Sequence, residues 1–481
     1  MNSWCSTGPI RKNFIAVRFP PPNNFFYVTF YKGIAMSHKI MLLLSCFFSL
    51  NIAVLPVRAD TEVEQLKTAI EELKKQVEEL KKAVDQQQQV KEAETRRVEK
   101  LEQKVEGTSS NVISKFTFKP YGFIKMDTAY YDSRTTAGNF VLYVPNESNH
   151  KNDNEFNMTA RQSRLGLDIV APTIYDWEAW GRVEIDFYGD GAKHENKGAV
   201  LLRHAFVNLT KGNFSFLAGQ TSDLISPLYP NTLNYTVGWS AGNIGYRRPQ
   251  LRATYTYHFS QENKLISAFA ISRTTGTVNE DFDLDLQNDG EDAGFPTVQA
   301  RLALATKLLT KRHTVFGFSG HYGKEEIDQE FSPLDPTKRR SQHKVKSWSV
   351  NADFDLPLTD RLSVKGEAFI GYNLDDYFGG ILQGVSPLNE AAIRSTGGWM
   401  QLAYKQSDKW KYHLGFGIDD PRNNDVIEGM RNRNSFYFAN AVYSLIPPVD
   451  IGIEYSYWNT QYEKMSTGTN NRIQGSVIYK W

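Results

Sequence analysis

"NRIQGSVIYKW" (471–481) ends the chain. Ile473, Val477, Tyr479 and Trp481 stand at odd positions with mostly polar residues between them. A terminus ordinarily frays into small polar residues. A period of two that persists to the final tryptophan instead reads as a strand whose last side chain is still buried in something. The residues upstream show what that something is.

From Lys115 onward, alternating apolar and polar sequence is broken only by turn residues, and the pattern predicts sixteen strands. "PTIY", "KGN", "SQEN", "LTKR", "PLTD", "QSD" and "IPP" join every second pair. Between them lie long connections at 132–158, 189–198, 221–249, 274–295, 325–343, 374–393, 421–431 and 460–469. A compact soluble domain rarely tolerates so many long irregular loops. A β-sandwich or propeller would not sort its loops by parity. Strict long–short alternation predicts an all-β transmembrane fold, a 16-stranded antiparallel up-and-down barrel over 114–481, with short periplasmic turns and long external loops. The quoted ending is then the closing strand. Val477, Tyr479 and Trp481 face lipid, and the terminal ring sits at the periplasmic interface, where amphipathic aromatics are favoured. Tyr479 and Trp481 also resemble the terminal signal by which such barrels are recognised for assembly, although Phe is the commoner last residue.

Composition agrees with this plan. The 55 Lys+Arg against 54 Asp+Glu give no global basic field for nucleic acid. Aromatic residues make up 13%. A mean hydropathy of −0.46 excludes a bundle of membrane helices, whereas barrel strands show lipid only every second residue. One stretch is strongly apolar, "MSHKIMLLLSCFFSLNIAVLPVRAD" (36–60), with His38 and Lys39 at its start and Val57 and Ala59 before a cut. This is the plan of a secretory signal peptide over 36–59, so Met36 is read as the start and 1–35 as a non-native upstream extension. An N-terminal anchor and lipidation at Cys46 fit the flanks less well. Both cysteines, Cys5 and Cys46, precede Ala59, so the mature chain would carry no thiol chemistry.

The mature chain opens with a heptad pattern over 60–107. Val63, Leu66, Ile70, Leu73, Val77, Leu80 and Val84 alternate at spacings of three and four, and the same phase reaches Val98, Leu101 and Val105. The spacing predicts an α-helical coiled coil, β-branched at a and Leu at d, about 65 Å long at 1.5 Å per residue. Gln87, Lys91 and Glu94 occupy core positions in its middle. The a/d composition by itself leans towards dimers.

The order of the heptads, "FKPYGFIKMDTAYYD" (118–132), "RQSRLGLDI" (161–169), "RHAFVNL" (203–209), "GNIGYRRPQLRATY" (242–255) and "SVIYKW" (476–481) resembles the DcaP-type trimeric porins over essentially all of 60–481. The resemblance implies a homotrimer with a periplasmic three-helix coil, and a preference for small, negatively charged organic solutes.

Parity turns one set of strand residues into the channel. Leu165, Leu167 and Ile169 outward leave Arg164 and Asp168 inward. By the same logic Arg182, Glu184, Asp186, Arg252, His258, Arg301, Lys365 and Glu367 face the lumen. Arg203 conflicts with the simplest apolar face of its strand. It is placed inward because a charge facing lipid costs about 2–4 kcal/mol. Connection 221–249, the third external one, is rich in Pro, Gly and aromatics and is expected to fold inward. Arg247 and Arg248 at its return end, with Arg164, Arg182, Arg203, Arg252 and Arg301, form the expected basic constriction, since guanidinium stays charged and grips a carboxylate through two parallel hydrogen bonds. The alternative is that these arginines only pair with Asp168, Glu184, Asp186 and Glu367. Loop 274–295 carries Glu280, Asp281, Asp283, Asp285, Asp289, Glu291 and Asp292. Their spacing matches no cation loop, so a solvated acidic loop is expected and no metal or cofactor.

No phosphate loop or zinc-peptidase motif is present. His313 and His321 would lie about 26 Å apart along one strand, too far to share a metal. The expected function is therefore non-enzymatic: passive diffusion of small hydrophilic, anionic solutes across the outer membrane, with lipid and lipopolysaccharide around the barrel and the coil in the periplasm. The alternative is a structural anchor tying the membrane to peptidoglycan through the coil. Deleting 60–107 would separate the two.

Overall fold

The computed structural model describes residues 115–481 apart from 137–138, 148–152, 190–197, 275–289, 291–292 and 328–342, together with scattered positions between 71 and 88. The latter are helical and exposed. Of the heptad core positions only Val77 is among them, and the remainder of the coiled coil, the signal peptide and 1–35 lie outside the described residues, as do the seven acids of 274–295.

Seventeen strand segments follow in chain order: β1 Thr117–Tyr131, β2 Glu155–Thr159, β3 Arg164–Val170, β4 Glu178–Asp186, β5 Leu201–Lys211, β6 Phe214–Ser222, β7 Arg247–His258, β8 Lys264–Ser272, β9 Thr297–Thr306, β10 Thr314–Ile327, β11 His343–Pro357, β12 Leu362–Tyr372, β13 Arg394–Lys405, β14 Trp410–Pro421, β15 Arg431–Ile446, β16 Val449–Tyr462 and β17 Met465–Lys480. Both β2 and β3 pair with β1, so they are one barrel strand interrupted by a turn, and the count of barrel strands is sixteen. Every neighbour pair is antiparallel, and β1 pairing with β17 closes the sheet. Closure removes the exposed edge that would otherwise recruit another strand.

The quoted ending completes this closure. Trp481 N–H donates to Gly122 O and Gly122 N–H to Trp481 O, at 3.2 and 3.3 Å. A Cβ at Gly122 would stand 2.7 Å from the Trp481 ring and 2.3 Å from Arg164 O, so this position has room only for glycine. Val477, Tyr479 and Trp481 are about half exposed on the outer face, as their parity requires. Tyr175, Trp177, Tyr257, Tyr404 and Trp410 join them as exposed aromatics near the same end of the barrel.

The short turns sit where expected; Tyr175 and Asp176 both have positive φ, as a tight type I′ hairpin demands. One expected long connection does not exist. The span 460–469 is instead a two-residue turn, because β16 runs to Tyr462 and β17 begins at Met465. Ser466, Thr469 and Asn470 lie on strands that continue well past the apolar band. There neither face meets lipid, so apolar alternation is lost without loss of the strand.

Candidate functional site

The third long connection, between β6 and β7, does not stay outside the barrel. Leu224, Ile225, Leu233, Tyr235, Trp239 and Ile244 are buried in it, and its backbone is held by wall residues from far around the sheet. Leu224 N–H donates to Gln299 Oε1 at 2.7 Å, Leu228 N–H to Glu367 Oε1 at 2.7 Å and Asn231 N–H to Gln401 Oε1 at 2.5 Å. Leu233 N–H donates to Glu454 Oε2 at 2.6 Å, while Leu233 O accepts from Lys125 Nζ at 2.6 Å. These partners sit on β9, β12, β13, β16 and β1, so the loop crosses the lumen. Irregular backbone at membrane depth survives only where such partners satisfy its polar groups.

Two other long connections meet it. Trp239 stacks on Phe378 from 373–393, ring centroids 4.4 Å apart, and Phe140 from 132–154 packs against Tyr235 at 5.5 Å. Gly242 has φ +111, and a Cβ there would lie 2.1 Å from Gly398 O on β13. The loop backbone therefore rests directly on the wall.

Between this loop and the β3–β5 wall lies a cavity of about 360 Å³, lined by Gln162, Arg164, Arg182, Glu184, Arg203, His204, Ser222, Tyr229, Tyr235, Val237, Trp239 and Arg247. Four of the seven expected arginines meet here. Arg182 grips Asp168 through two parallel bonds of 2.7 and 2.9 Å. Arg203 bridges Glu184 and Asp186, each at 2.7 Å. Its parity conflict has a structural cause: Glu184 pairs with His204 but Ile185 with Leu202, so Arg203 is the extra residue of a β-bulge. Leu202 and Val207 stay outward, while Arg203 and His204 both turn in. Arg164 lies 3.4 Å from Glu184, a looser contact.

Arg247 differs from all of these. It is 7% exposed, its guanidinium lies 4.5 Å from the Tyr246 ring centroid and 5.9 Å from that of Trp239, and Nε and Nη2 have no hydrogen-bond partner among the described residues. A buried guanidinium without a carboxylate is a costly arrangement unless something else satisfies it. Tyr235 is a second polar lining group; its hydroxyl donates to Asp186 at 3.0 Å. Burial and the Asp186 charge push its pKa up, so it remains a neutral donor.

The other three arginines sit elsewhere. Arg248 is 2% exposed, paired with Asp223 at 3.0 Å and donating to Asp376 O at 3.2 Å, with Tyr377 against its face. It ties the lumen loop to 373–393. Arg301 pairs with Asp353 at 2.6 Å. Arg252 bonds Gln250 Oε1 and Ser222 O, both neutral acceptors. Lys365 reaches Asn231 at 2.9 Å, and among the described residues Glu367 pairs with no arginine because Leu228 N–H, the Ser226 hydroxyl and Trp399 occupy it. Sequence reading missed the anchoring roles of Gln299, Gln401, Glu454 and Lys125, since their partners lie on a loop whose path depends on the whole barrel. Inward parity was the only available signal.

Residues 50–281 match the family model of the DcaP outer membrane protein. Among solved structures, the outer membrane channel DcaP of Acinetobacter baumannii superposes with a TM-score of 0.58 at 17% identity, covering 76% of this chain and 98% of that one. OprB of Pseudomonas putida superposes with a TM-score of 0.50 at 10% identity, covering 78% and 96% respectively. At these identities the likeness is one of fold. Comparison with curated proteins finds no match.

Proposed function

We propose that this chain, a porin-fold β-barrel of the outer membrane with a DcaP family match over 50–281, passes small hydrophilic anions by passive diffusion. One observation carries the reading: Arg164, Arg182, Arg203 and Arg247 converge on a lumen cavity whose lining holds a single carboxylate, Glu184. Asp168 and Asp186 neutralise Arg182 and part of Arg203 from behind. The residual field is still positive, and Arg247, which lines the cavity, brings a charge that no carboxylate among the described residues answers. A low-dielectric channel concentrates that field on a passing ion. An arginine lining favours anions provided the grip is weak enough for release. The aromatic faces of Tyr235 and Trp239 beside it suit an organic anion better than a bare halide.

This reading keeps four of the seven arginines in the constriction and takes Arg248 as a latch between the lumen loop and 373–393. Flux down a gradient needs no cofactor. The assembly that fits the resemblance is a homotrimer joined by the periplasmic coil, in lipid and lipopolysaccharide.

The test is the reversal potential of purified 60–481 in a planar bilayer under a salt gradient. Anion-selective current that weakens in R247Q supports the reading. Cation-selective current keeps the channel and sinks the anion claim. No current from a folded barrel points to a closed lumen and the peptidoglycan-linked anchor.

A further inference from the structure

A second basic cluster lies on the opposite side of the wall. In the register of β12, β13 and β14, Ile370 stands opposite Thr396 and Thr396 opposite Asp420. Ile370 is 41% exposed while its neighbour Phe369 is buried, so this row faces outward. Tyr372 opposite Arg394 continues the same face. On β15, Asn434 pairs with the buried Asp419, which turns the adjacent Arg433 outward as well. These residues surround a recess of about 560 Å³, lined by Arg394, Asp420, Arg422 and Arg433 with Ile370 and Thr396.

The recess carries three guanidinium groups against one carboxylate. Arg433 occupies Asp420 through bonds of 3.1 and 3.2 Å. Asp425, nearby, accepts the backbone N–H of Arg394 at 3.1 Å. The Arg394 and Arg422 guanidiniums have no side-chain partner among the described residues. The loops that follow β12 and β14 are long ones, so the cluster sits at the external rim. Met400, Phe416 and Tyr437, exposed on the same outer face, begin an apolar band four residues, about 13 Å, further towards the periplasm.

We propose that this recess binds the phosphate groups of an outer-leaflet lipid. A lipid whose acyl chains lie on the apolar band brings its headgroup to this height. Arginine is the side chain whose planar fork matches phosphate oxygens in pairs. Asp420 and the nearby Asp425 do not balance three arginines, so an anionic group completes the site. A basic pocket at the membrane boundary recognises lipid headgroups by this chemistry.

The experiment compares the detergent-solubilised barrel with R394Q/R422Q, neither residue lining the lumen cavity. Each is titrated with lipid A, with dephosphorylated lipid A and with inorganic phosphate, and bound lipid is counted by native mass spectrometry. Lipid A should bind the wild type about tenfold or more tightly than it binds the variant, the loss expected from two charge-assisted contacts. Dephosphorylated lipid A should bind both weakly and alike, and inorganic phosphate should not bind at micromolar levels. Equal lipid A binding to both proteins overturns the proposal. Inorganic phosphate binding as tightly as lipid A overturns the lipid assignment. An R394Q/R422Q variant that keeps lipid A but loses its oligomer overturns it too, making this face a contact between copies. Should the double variant fail to fold, R422Q alone, altered at an exposed turn position, gives the same readout.

Discussion

Arg203 and Arg247 line one cavity, yet their substitutions should behave in opposite ways. Arg203 holds two buried carboxylates, so R203Q leaves Asp186 without its cation and Glu184 with only the looser Arg164 contact, and should cost about 3–5 kcal/mol. The measurement is the midpoint of thermal unfolding, and an unchanged midpoint would refute the bridge. R247Q removes a charge with no carboxylate partner, so stability should change by less than about 1 kcal/mol while anion preference falls. Reversal potential and unfolding midpoint, read on the same preparation, check both halves. How far these residues were legible follows from the same contrast. Period two placed Arg164, Arg182 and Arg301 inward because their strands run without interruption. It failed at Arg203 because a bulge resets the parity of β5 between Leu202 and Ala205. The unpaired state of Arg247 has no sequence signal at all, since adjacent Arg248 has Asp223 beside it and Arg247 does not.

The lumen loop is held by wall side chains that accept from its backbone N–H groups, with Lys125 and Asn440 donating to its carbonyls. Glu367 receives Ser226 Oγ–H, Leu228 N–H and Trp399 Nε1–H, and Glu454 receives Leu233 and Asn234 N–H with Asn440 Nδ2–H. E367A/E454A would orphan loop amides at about 1–3 kcal/mol each. The loop should then leave the wall, raising single-channel conductance and adding flickering between levels. Unchanged, quiet conductance would mean that this loop does not limit the pore. G242V should give a similar release by a different route, because any Cβ there collides with Gly398 O. The existence of this loop was legible from its length and parity, and its inward fold from its Pro, Gly and aromatic content. Its partners were not, because most of these contacts join residues over a hundred positions apart, such as Lys125 and Leu233. The turn at Glu463–Lys464 was hidden for the converse reason: polar strand residues beyond the lipid look like loop.

At the scale of the molecule, two parts with different sequence grammar must share one function. The barrel closes on itself from Gly122 to Trp481 and needs no neighbour to satisfy its backbone. The heptad segment is the opposite case. Val77, at an a position, is helical and 60% exposed in the single chain, and an apolar stripe of that kind gains stability only by pairing with its copies. We propose that the coil joins barrels and leaves their pores unaltered. Tethering chains raises their local concentration, which stabilises assembly without any change at the barrel wall. Deleting 60–107 should therefore preserve conductance per pore and reversal potential, while the oligomer dissociates at lower temperature in detergent. Light scattering against temperature, beside bilayer recordings of the same sample, reads both. Loss of current on deletion would make the coil part of the channel. Intact current and an intact oligomer, with a leaky cell envelope, would instead assign the coil to the cell wall.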